Sequence, residues 1–337
     1  MIIKIKNRVI SKQSPFIIAE AGINHNGDMK LAKELIKRAK ESGADCIKFQ
    51  TYKAENLIIK NQKTISFFNE IKRCELSYGQ FEELKECAVK NNIIFMSTPD
   101  EEESLDFLLT LNLPAIKIGS GEVNNLKLLK KVSLSKKVIL MSTGASTEEE
   151  IDRAYEILSS ESKKVILMHC VSEYPADIKS LNLRYIRYMG LKYRCLTGFS
   201  DHTTSLIAPV AAFLSGASVI EKHFTLDNSL SGPDHKFSLN PQSFRVMVDN
   251  IREAEAALGE EKKRITPKES ELRQFIRKSL FSKQNIEKNE ELSDGNTILL
   301  RPQLGIKANE YFDIIGSRAL LKINKFKPIH RKDIIKK

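Results

Sequence analysis

The sequence predicts an α/β protein: a closed (β/α)8 barrel of the TIM type, followed by a small β-rich domain. Three observations predict it. Short apolar, β-like runs recur through the first 240 residues, at 16–20, 46–51, 93–98, 115–120, 138–143, 165–170, 196–202 and 219–223. Helix-like segments separate them, the alternation of a parallel barrel. Each run ends in residues able to bind an anion, a metal or a sugar, and barrel active sites sit at the carboxyl ends of the strands.

The elements follow in order. Asp28 reads as the N-cap of an amphipathic helix over 31–39. Segments 79–90, 102–111 and 126–132 repeat that logic. Ser146 and Thr147 with Glu149 and Glu150 mark the start of a helix over 147–158. Residues 207–215 are apolar on most sides, as expected of a helix packed between barrel and neighbour. Residues 241–258 form the eighth helix, and Gly259 ends it. The barrel domain is therefore 1–258, and the charged stretch 259–275, with Pro267, reads as a linker. The tail, 276–337, holds strand-like pieces at 278–282, 297–300 and 319–323 with little helix. So small a core is marginal alone, and the tail is expected to dock on a larger body.

Composition narrows the class. A barrel takes about 250 residues, which leaves room in 337 for one small domain. No apolar run approaches the ~20 residues that span a bilayer. Residues 1–12 lack the apolar core of a leader peptide, so a soluble cytoplasmic protein is expected. The five cysteines are widely spaced with no Cys-x-x-Cys, which excludes a readable zinc knuckle or disulfide framework. The net charge is +11, and residues 273–337 hold 15 Lys or Arg against 7 Asp or Glu. That excess suits an anionic substrate, a nucleic acid, or simply a lysine-rich solvated surface. The tail lacks the interleaved aromatics of a base-stacking platform, so neither nucleic acid nor membrane is the expected partner.

Three constellations carry chemistry. His202 ends the seventh run, and Glu221 and His223 share one face of the eighth. Two neutral imidazoles with one or two carboxylates suit a divalent transition metal, although a lone histidine is more often a core hydrogen-bonding residue. The second set is Lys48, Thr98, Lys117, Ser120, Ser142 and Ser200, all at strand ends. Two ammonium groups with several hydroxyls suit a ligand carrying a phosphate and a carboxylate. Gly119, Gly121 and Gly144 would let backbone amides approach it. The third set is acidic: Glu20, Glu122 and Asp234, which can grip sugar hydroxyls or move protons. Asp234 follows Gly232-Pro233 and equally suits a plain turn. Asn24, His25 and Asn26 form a polar turn, and Tyr174 stands before Pro175.

At these residues the sequence resembles the sialic acid synthase family. The matching stretches are residues 18–27, Lys48 to Thr51, Ser97 to Pro99, Lys117 to Glu122, Ser142 to Gly144, His169-Cys170 with Tyr174-Pro175, Ser200 to Thr203, Glu221 to Thr225 and Gly232 to Asp234. The tail, with Arg301-Pro302, is similar to that family's antifreeze-like (SAF) C-terminal domain. The resemblance implies condensation of phosphoenolpyruvate with an N-acylated amino sugar to give a nine-carbon 2-keto acid and phosphate. It also implies a divalent ion, Mn2+ first and Mg2+ or Co2+ after it, held by His202 and His223. Lys48, Thr98, Lys117, Ser120, Ser142, Ser172 and Ser200 would hold phosphoenolpyruvate. Glu20, Gln50, Tyr174 and Asp234 would hold the sugar. Glu122, Glu221 and His223 would be catalytic, with Glu122 the candidate acid/base. The family's domain-swapped homodimer would bring Arg301 into the partner's site.

Sialic acid synthases carry His-Gln-Thr at the second strand, Asn before Tyr-Pro, and Glu-Arg-His-Phe. This chain has Lys48-Phe49-Gln50, Ser172 and Lys222 instead. Those features resemble the legionaminic acid and spore-coat polysaccharide branch more, and Gly232-Pro233-Asp234 fits the pseudaminic acid branch less well. Two alternatives stand beside this reading. One is a 3-deoxy-heptulosonate-type enzyme, disfavoured because few arginines follow the strand ends to hold a second phosphate. The other is a non-enzymatic polysaccharide- or nucleic-acid-binding protein built on a dead barrel.

Overall fold

A computed structural model describes residues 1–335, so the last two residues of the expected tail domain lie outside the described residues. The barrel strands are β1 (Phe16–Gly22), β2 (Cys46–Thr51), β3 (Ile94–Pro99), β4 (Ala115–Ile118), β5 (Val138–Ser142), β6 (Val165–Cys170), β7 (Leu196–Asp201) and β8 (Ala217–His223). All run parallel in the order β3-β2-β1-β8-β7-β6-β5-β4. The ring is nearly closed. β3 and β4 lie side by side but share no hydrogen-bonded ladder.

The eight alternating helices are α1 (Met29–Glu41), α2 (Tyr78–Lys90), α3 (Glu102–Thr110), α4 (Leu126–Leu134), α5 (Glu148–Glu161), α6 (Arg184–Lys192), α7 (Ala208–Leu214) and α8 (Pro241–Leu258). Their starts are set locally. Asp28 accepts from the Lys30 and Leu31 amides, and Ser77-Gln80 and Thr147-Glu150 form capping boxes. Three helices of the barrel domain were not foreseen in the sequence: α6 and the helices Ala54–Leu57 and Ile65–Cys74 inserted after β2. Ile186 and Met189 of α6 are buried one turn apart, but neither α6 nor the two inserted helices begins with a capping side chain, so no start signal marked them.

The pleat divides the strands between two cores. Inward positions near the strand starts, among them Phe16, Ile18, Met96, Leu140, Ile166 and Met168, pack together. Ile3, Ile5 and Ile10 of an N-terminal hairpin (Ile3–Ile5 and Arg8–Ile10) join that cluster and floor the barrel. Outward positions such as Ile17, Ile47 and Phe49 pack under the helices. Continuing the inward parity toward the strand ends gives Glu20, Lys48, Thr98, Lys117, Ser142, Ser200, Glu221 and His223. An apolar floor thus supports a polar upper layer on the same pleat.

The chain divides into two compact units, Met1–Gly259 and Glu260–Lys337. Within the second unit, part of the segment read as a linker is helical (Pro267–Ile276), started by a Thr266-Glu269 capping box. The rest pairs Ser279–Ser282 with Thr297–Leu300 and Arg318–Ala319 with Ile334–Ile335. Its own core gathers Leu280, Ile286, Leu292, Ile306, Ile314, Ala319, Ile323 and Ile329. Among the described residues no helix is long and apolar enough to cross a membrane.

One outward pair is ionic. Lys222 Nζ lies 2.6 Å from Asp201 Oδ2 with both side chains fully buried, and it also donates to the Thr203 carbonyl. Asp201 Oδ1 accepts from the Thr203 amide at 2.8 Å. The pair therefore pins the turn that carries His202. Asp201→Asn keeps the turn acceptor but leaves the ammonium uncompensated, and stripping one partner of a buried pair costs about 3 kcal/mol or more. In urea melts Asp201→Asn is expected to lose about that much, and Asp201→Asn with Lys222→Met to recover most of it. A double variant no more stable than the single one would contradict this account.

Candidate active site

The polar layer encloses a cavity of about 260 Å³ at the carboxyl ends of the strands. Lys48 and Lys117 occupy its centre. Lys48 Nζ lies 2.9 Å from Glu20 Oε2 and donates to Thr98 Oγ1 at 2.9 Å. Lys117 Nζ donates to Ser142 Oγ at 2.7 Å. Glu221 Oε1 lies 3.8 Å from each ammonium and accepts from Ser200 Oγ at 3.1 Å. Its other oxygen, Oε2, is buried without a hydrogen-bond partner.

Burial and charge pull these groups apart. Burial pushes Glu20 up to about 7, and Glu221 adds to the push while Lys48 opposes it. Burial acts the same way on Glu221, but Lys117 and Lys48 outweigh it and hold that carboxyl below its ordinary value. Burial works against the charge of Lys48 too, yet Glu20 and Glu221 hold it above the usual lysine range. Lys117 lacks so close a partner, and burial holds it low.

Two imidazoles form the opposite wall. The His202 and His223 rings lie 5.5 Å apart, and Tyr174 stacks 4.1 Å from His202. Burial keeps His202 neutral-leaning and lowers His223 further, with His202 as a second cause. His202 Nδ1 sits 2.8 Å from the Val171 carbonyl. The proton then resides on Nδ1 and leaves Nε2 as a free donor atom. His223 Nδ1 is buried without a partner, 3.7 Å from Asp234 Oδ2. Two neutral imidazoles with unused lone pairs fit a divalent ion whose remaining positions go to water or substrate. Among the described residues no group of three or more His, Cys, Asp or Glu surrounds them. Carboxylates therefore do not complete a metal cage here, because Glu221 is engaged with Ser200 and faces both ammonium groups.

Most of the expected site residues line this one cavity. Gln50, Ser120, Ser172 and Tyr174 join those above. Gly144 is where a glycine is required: its amide donates to Ser120 Oγ at 3.0 Å, and an added Cβ would overlap Ser172 Oγ. Asp234 stands outside the lining next to His223, with Oδ2 3.5 Å from the point where a Cβ on Gly22 would lie. Glu122 is not in the cavity lining. β4 ends at Ile118, the turn Ser120–Glu122 redirects the chain, and Glu122 accepts from Asn125 Nδ2 at 2.7 Å in the adjacent depression. Arg301 belongs to the second unit.

Two cavity residues were missed from the sequence. Cys170 lines the wall with its thiol 3.7 Å from His202 Nδ1. Asp100, just past the expected end of the third run, also reaches the cavity. Its place two residues after Thr98 was the available signal, since it continues the inward parity of that strand.

The sequence profile of the NeuB family matches residues 35–263. Over 317 residues the chain is 41% identical to an N,N'-diacetyllegionaminic acid synthase of Campylobacter jejuni, covering 90% of this chain and 95% of that one. Over 330 residues it is 38% identical to an N,N'-diacetyllegionaminic acid synthase of Legionella pneumophila, covering 93% of each. Among solved structures, an N-acetylneuraminic acid (sialic acid) synthetase from Leptospira borgpetersenii aligns with a TM-score of 0.76 at 34% identity, covering 80% of this chain and 94% of that one.

Asp100 offers a test of the buried electrostatics. Burial raises it from 3.8 to about 7, with Lys48 opposing. A carboxyl raised in the fold lends stability that is complete below its unfolded value and is lost as pH rises through its folded value. Asp100→Asn cannot ionise and escapes that loss. Its melting temperature is expected to approach that of the unsubstituted protein near pH ~5 and exceed it near pH ~8.5, by the equivalent of a few kcal/mol. A gap that stays constant across that range would contradict the assignment.

Proposed function

The chain belongs to the NeuB family, and on that premise we propose that it is a nonulosonic acid synthase acting in the cytoplasm. It condenses phosphoenolpyruvate with an N-acylated mannosamine-type aldose, giving a nine-carbon 2-keto acid and phosphate. The observation that carries the reading is one cavity holding two buried ammonium groups opposite two neutral imidazoles.

The halves of the cavity suit the halves of the reaction. Lys48 and Lys117, with Thr98, Ser120, Ser142, Ser172 and Ser200, present cations and hydroxyls to the phosphate and carboxylate of phosphoenolpyruvate. Glu20, Gln50, Tyr174 and Asp234 present acceptors and an aromatic face to the sugar. His202 and His223 would hold a divalent ion, Mn2+ first and Mg2+ or Co2+ after it, which supplies Lewis acidity toward the aldehyde oxygen. Carbon–carbon bond formation joins the methylene carbon of phosphoenolpyruvate to the aldehyde carbon. Water adds to the former enol carbon, and the C–O bond to phosphate then breaks. The ammonium groups stabilise the negative charge that grows on the leaving phosphate. Holding both substrates against one another supplies much of the remaining acceleration. Glu221, kept ionised by the two lysines, takes the acid–base role, since Glu122 faces the neighbouring depression.

The tail belongs to the reading as an antifreeze-like domain of a swapped homodimer, with Arg301 entering the partner's cavity. Legionaminic-type sugars are the favoured substrates, on the Lys48-Phe49-Gln50 and Lys222-His223 features.

Mass analysis of products from phosphoenolpyruvate and a panel of N-acyl hexosamines tests the reaction, with nine-carbon acids as the expected result. Consumption of erythrose 4-phosphate in their place would favour the heptulosonate alternative. His202→Ala and His223→Ala are each expected to abolish phosphate release while far-ultraviolet circular dichroism stays unchanged. Full turnover by either variant under strict chelation would refute the metal assignment. Arg301→Ala is expected to weaken catalysis, and mixing it with His223→Ala subunits to restore part of the activity. Absence of complementation would refute the cross-subunit role.

A further inference from the structure

The Asp234 carboxylate does no work in its own loop. Asp234 precedes the turn His235–Phe237, yet its side chain caps nothing. Only its backbone is held: the Asp234 carbonyl accepts from Ser238 Oγ at 2.6 Å and from the Ser238 amide at 3.2 Å. The side chain instead faces Glu20 across Gly22. A Cβ on Gly22 would lie 3.3 Å from Glu20 Oε1 and 3.5 Å from Asp234 Oδ2.

Asn228 Nδ2 holds the loop from nearby, donating to the His235 carbonyl at 2.8 Å and the Ser238 carbonyl at 2.7 Å, and further bonds come from the opposite end of the barrel domain in sequence. Asn26 Nδ2, in the turn after β1, donates to the Ser231 carbonyl at 2.8 Å. Asn26 Oδ1 meets His235 Nε2 at 3.4 Å, and His235 Nδ1 meets Thr225 Oγ1 at 2.6 Å. Asn24 Nδ2 donates to Ser238 Oγ and to the Phe224 carbonyl, each at 2.9 Å. Between the two segments sits Gly232, with φ +150° and no room for a Cβ, which would come within 2.7 Å of Asn26 Oδ1. The loop is therefore clasped to the β1 turn on both sides of Asp234.

We infer that Asn26 is a positioning residue for the sugar half of the reaction: through Ser231 and His235 it holds the Asp234 carboxylate opposite Glu20. This rests on the reading of Asp234 as a sugar contact. Asn26 touches none of the phosphoenolpyruvate-side groups, and it stands in the turn rather than in the cavity lining.

Asn26→Gly is the test, because Asn26 has φ +52° and glycine keeps that backbone while removing the amide. The expected result is a KM for the N-acyl hexosamine raised about tenfold, the worth of one or two hydrogen bonds, with the KM for phosphoenolpyruvate within about twofold. Asn26→Gly in an Asp234→Asn background is expected to add less than about twofold, since both act through one carboxylate. Equal rises in both KM values, or full additivity in the double variant, would overturn the inference. Hydrogen exchange separates it from the reaction itself. Asn26→Gly is expected to speed exchange of the Ser238 amide while the barrel strands stay protected. Faster exchange in a protein that turns over no hexosamine would sink the substrate reading and leave the clasp standing. Unchanged exchange would sink the clasp.

Discussion

Four charges at one level of the barrel set the terms for everything above them. Lys48, Lys117, Glu20 and Glu221 sit on the apolar floor, all but excluded from water. An isolated ammonium there would lose its proton, and an isolated carboxylate would gain one. The set survives because each charge faces an opposite one, but the facing is unequal. Lys48 has a carboxylate at 2.9 Å, whereas Lys117 has one only at 3.8 Å. That inequality is why burial wins at Lys117 and loses at Lys48. It also leaves the cavity nearly neutral when it holds no anion. An anionic ligand bound there would favour the charged form of Lys117 and the protonated form of Glu20.

The pleat explains how much of this was legible in the sequence. A residue two places beyond an inward apolar one must also point inward. Ile18 thus fixes Glu20, Cys46 fixes Lys48, Leu140 fixes Ser142, and Val219 fixes Glu221 and His223. The parity needs no knowledge of distance, and the eight runs could be read directly from the chain. Where the strand stops, parity stops with it. Glu122 follows β4 by one turn, and that turn swings it to Asn125. Asp100 shows the converse, since β3 continues through Pro99 and carries the next residue to the cavity. Helix α6 and the insertion after β2 escaped for another reason. Their apolar spacing is helical, but none of them starts with a capping side chain, so the local signal that marks a helix start is missing.

The turn residues show the limit of local reading most clearly. Gly232-Pro233-Asp234 is compatible with an ordinary turn, in which the aspartate caps the next residues. In the folded chain the backbone bonds of Ser238 do that service, and the carboxylate is released toward Glu20. The Asn24–Asn26 turn, some two hundred residues earlier, holds that loop together with Asn228, which donates to the His235 and Ser238 carbonyls. A window of sequence around Asp234 contains Asn228 but not Asn24 or Asn26.

The division of labour between strands and loops has a consequence for specificity. The residues we assign to phosphoenolpyruvate lie mainly on β2 to β5 and β7, strands packed on both sides and held in register by their ladders. Those we assign to the sugar are Tyr174 and Asp234 on loops and Glu20 and Gln50 toward the ends of strands. Changing a strand residue disturbs the charge set and the core beneath it. Changing a loop residue disturbs a few hydrogen bonds. A barrel built this way can exchange one N-acyl sugar for another through its loops while the chemistry at phosphoenolpyruvate stays the same. The loop after β8 is tied by side-chain clasps along its length and by backbone bonds only at its ends, Thr225 to Leu239 and Leu239 to His223, so a change within it leaves the strand ladders untouched.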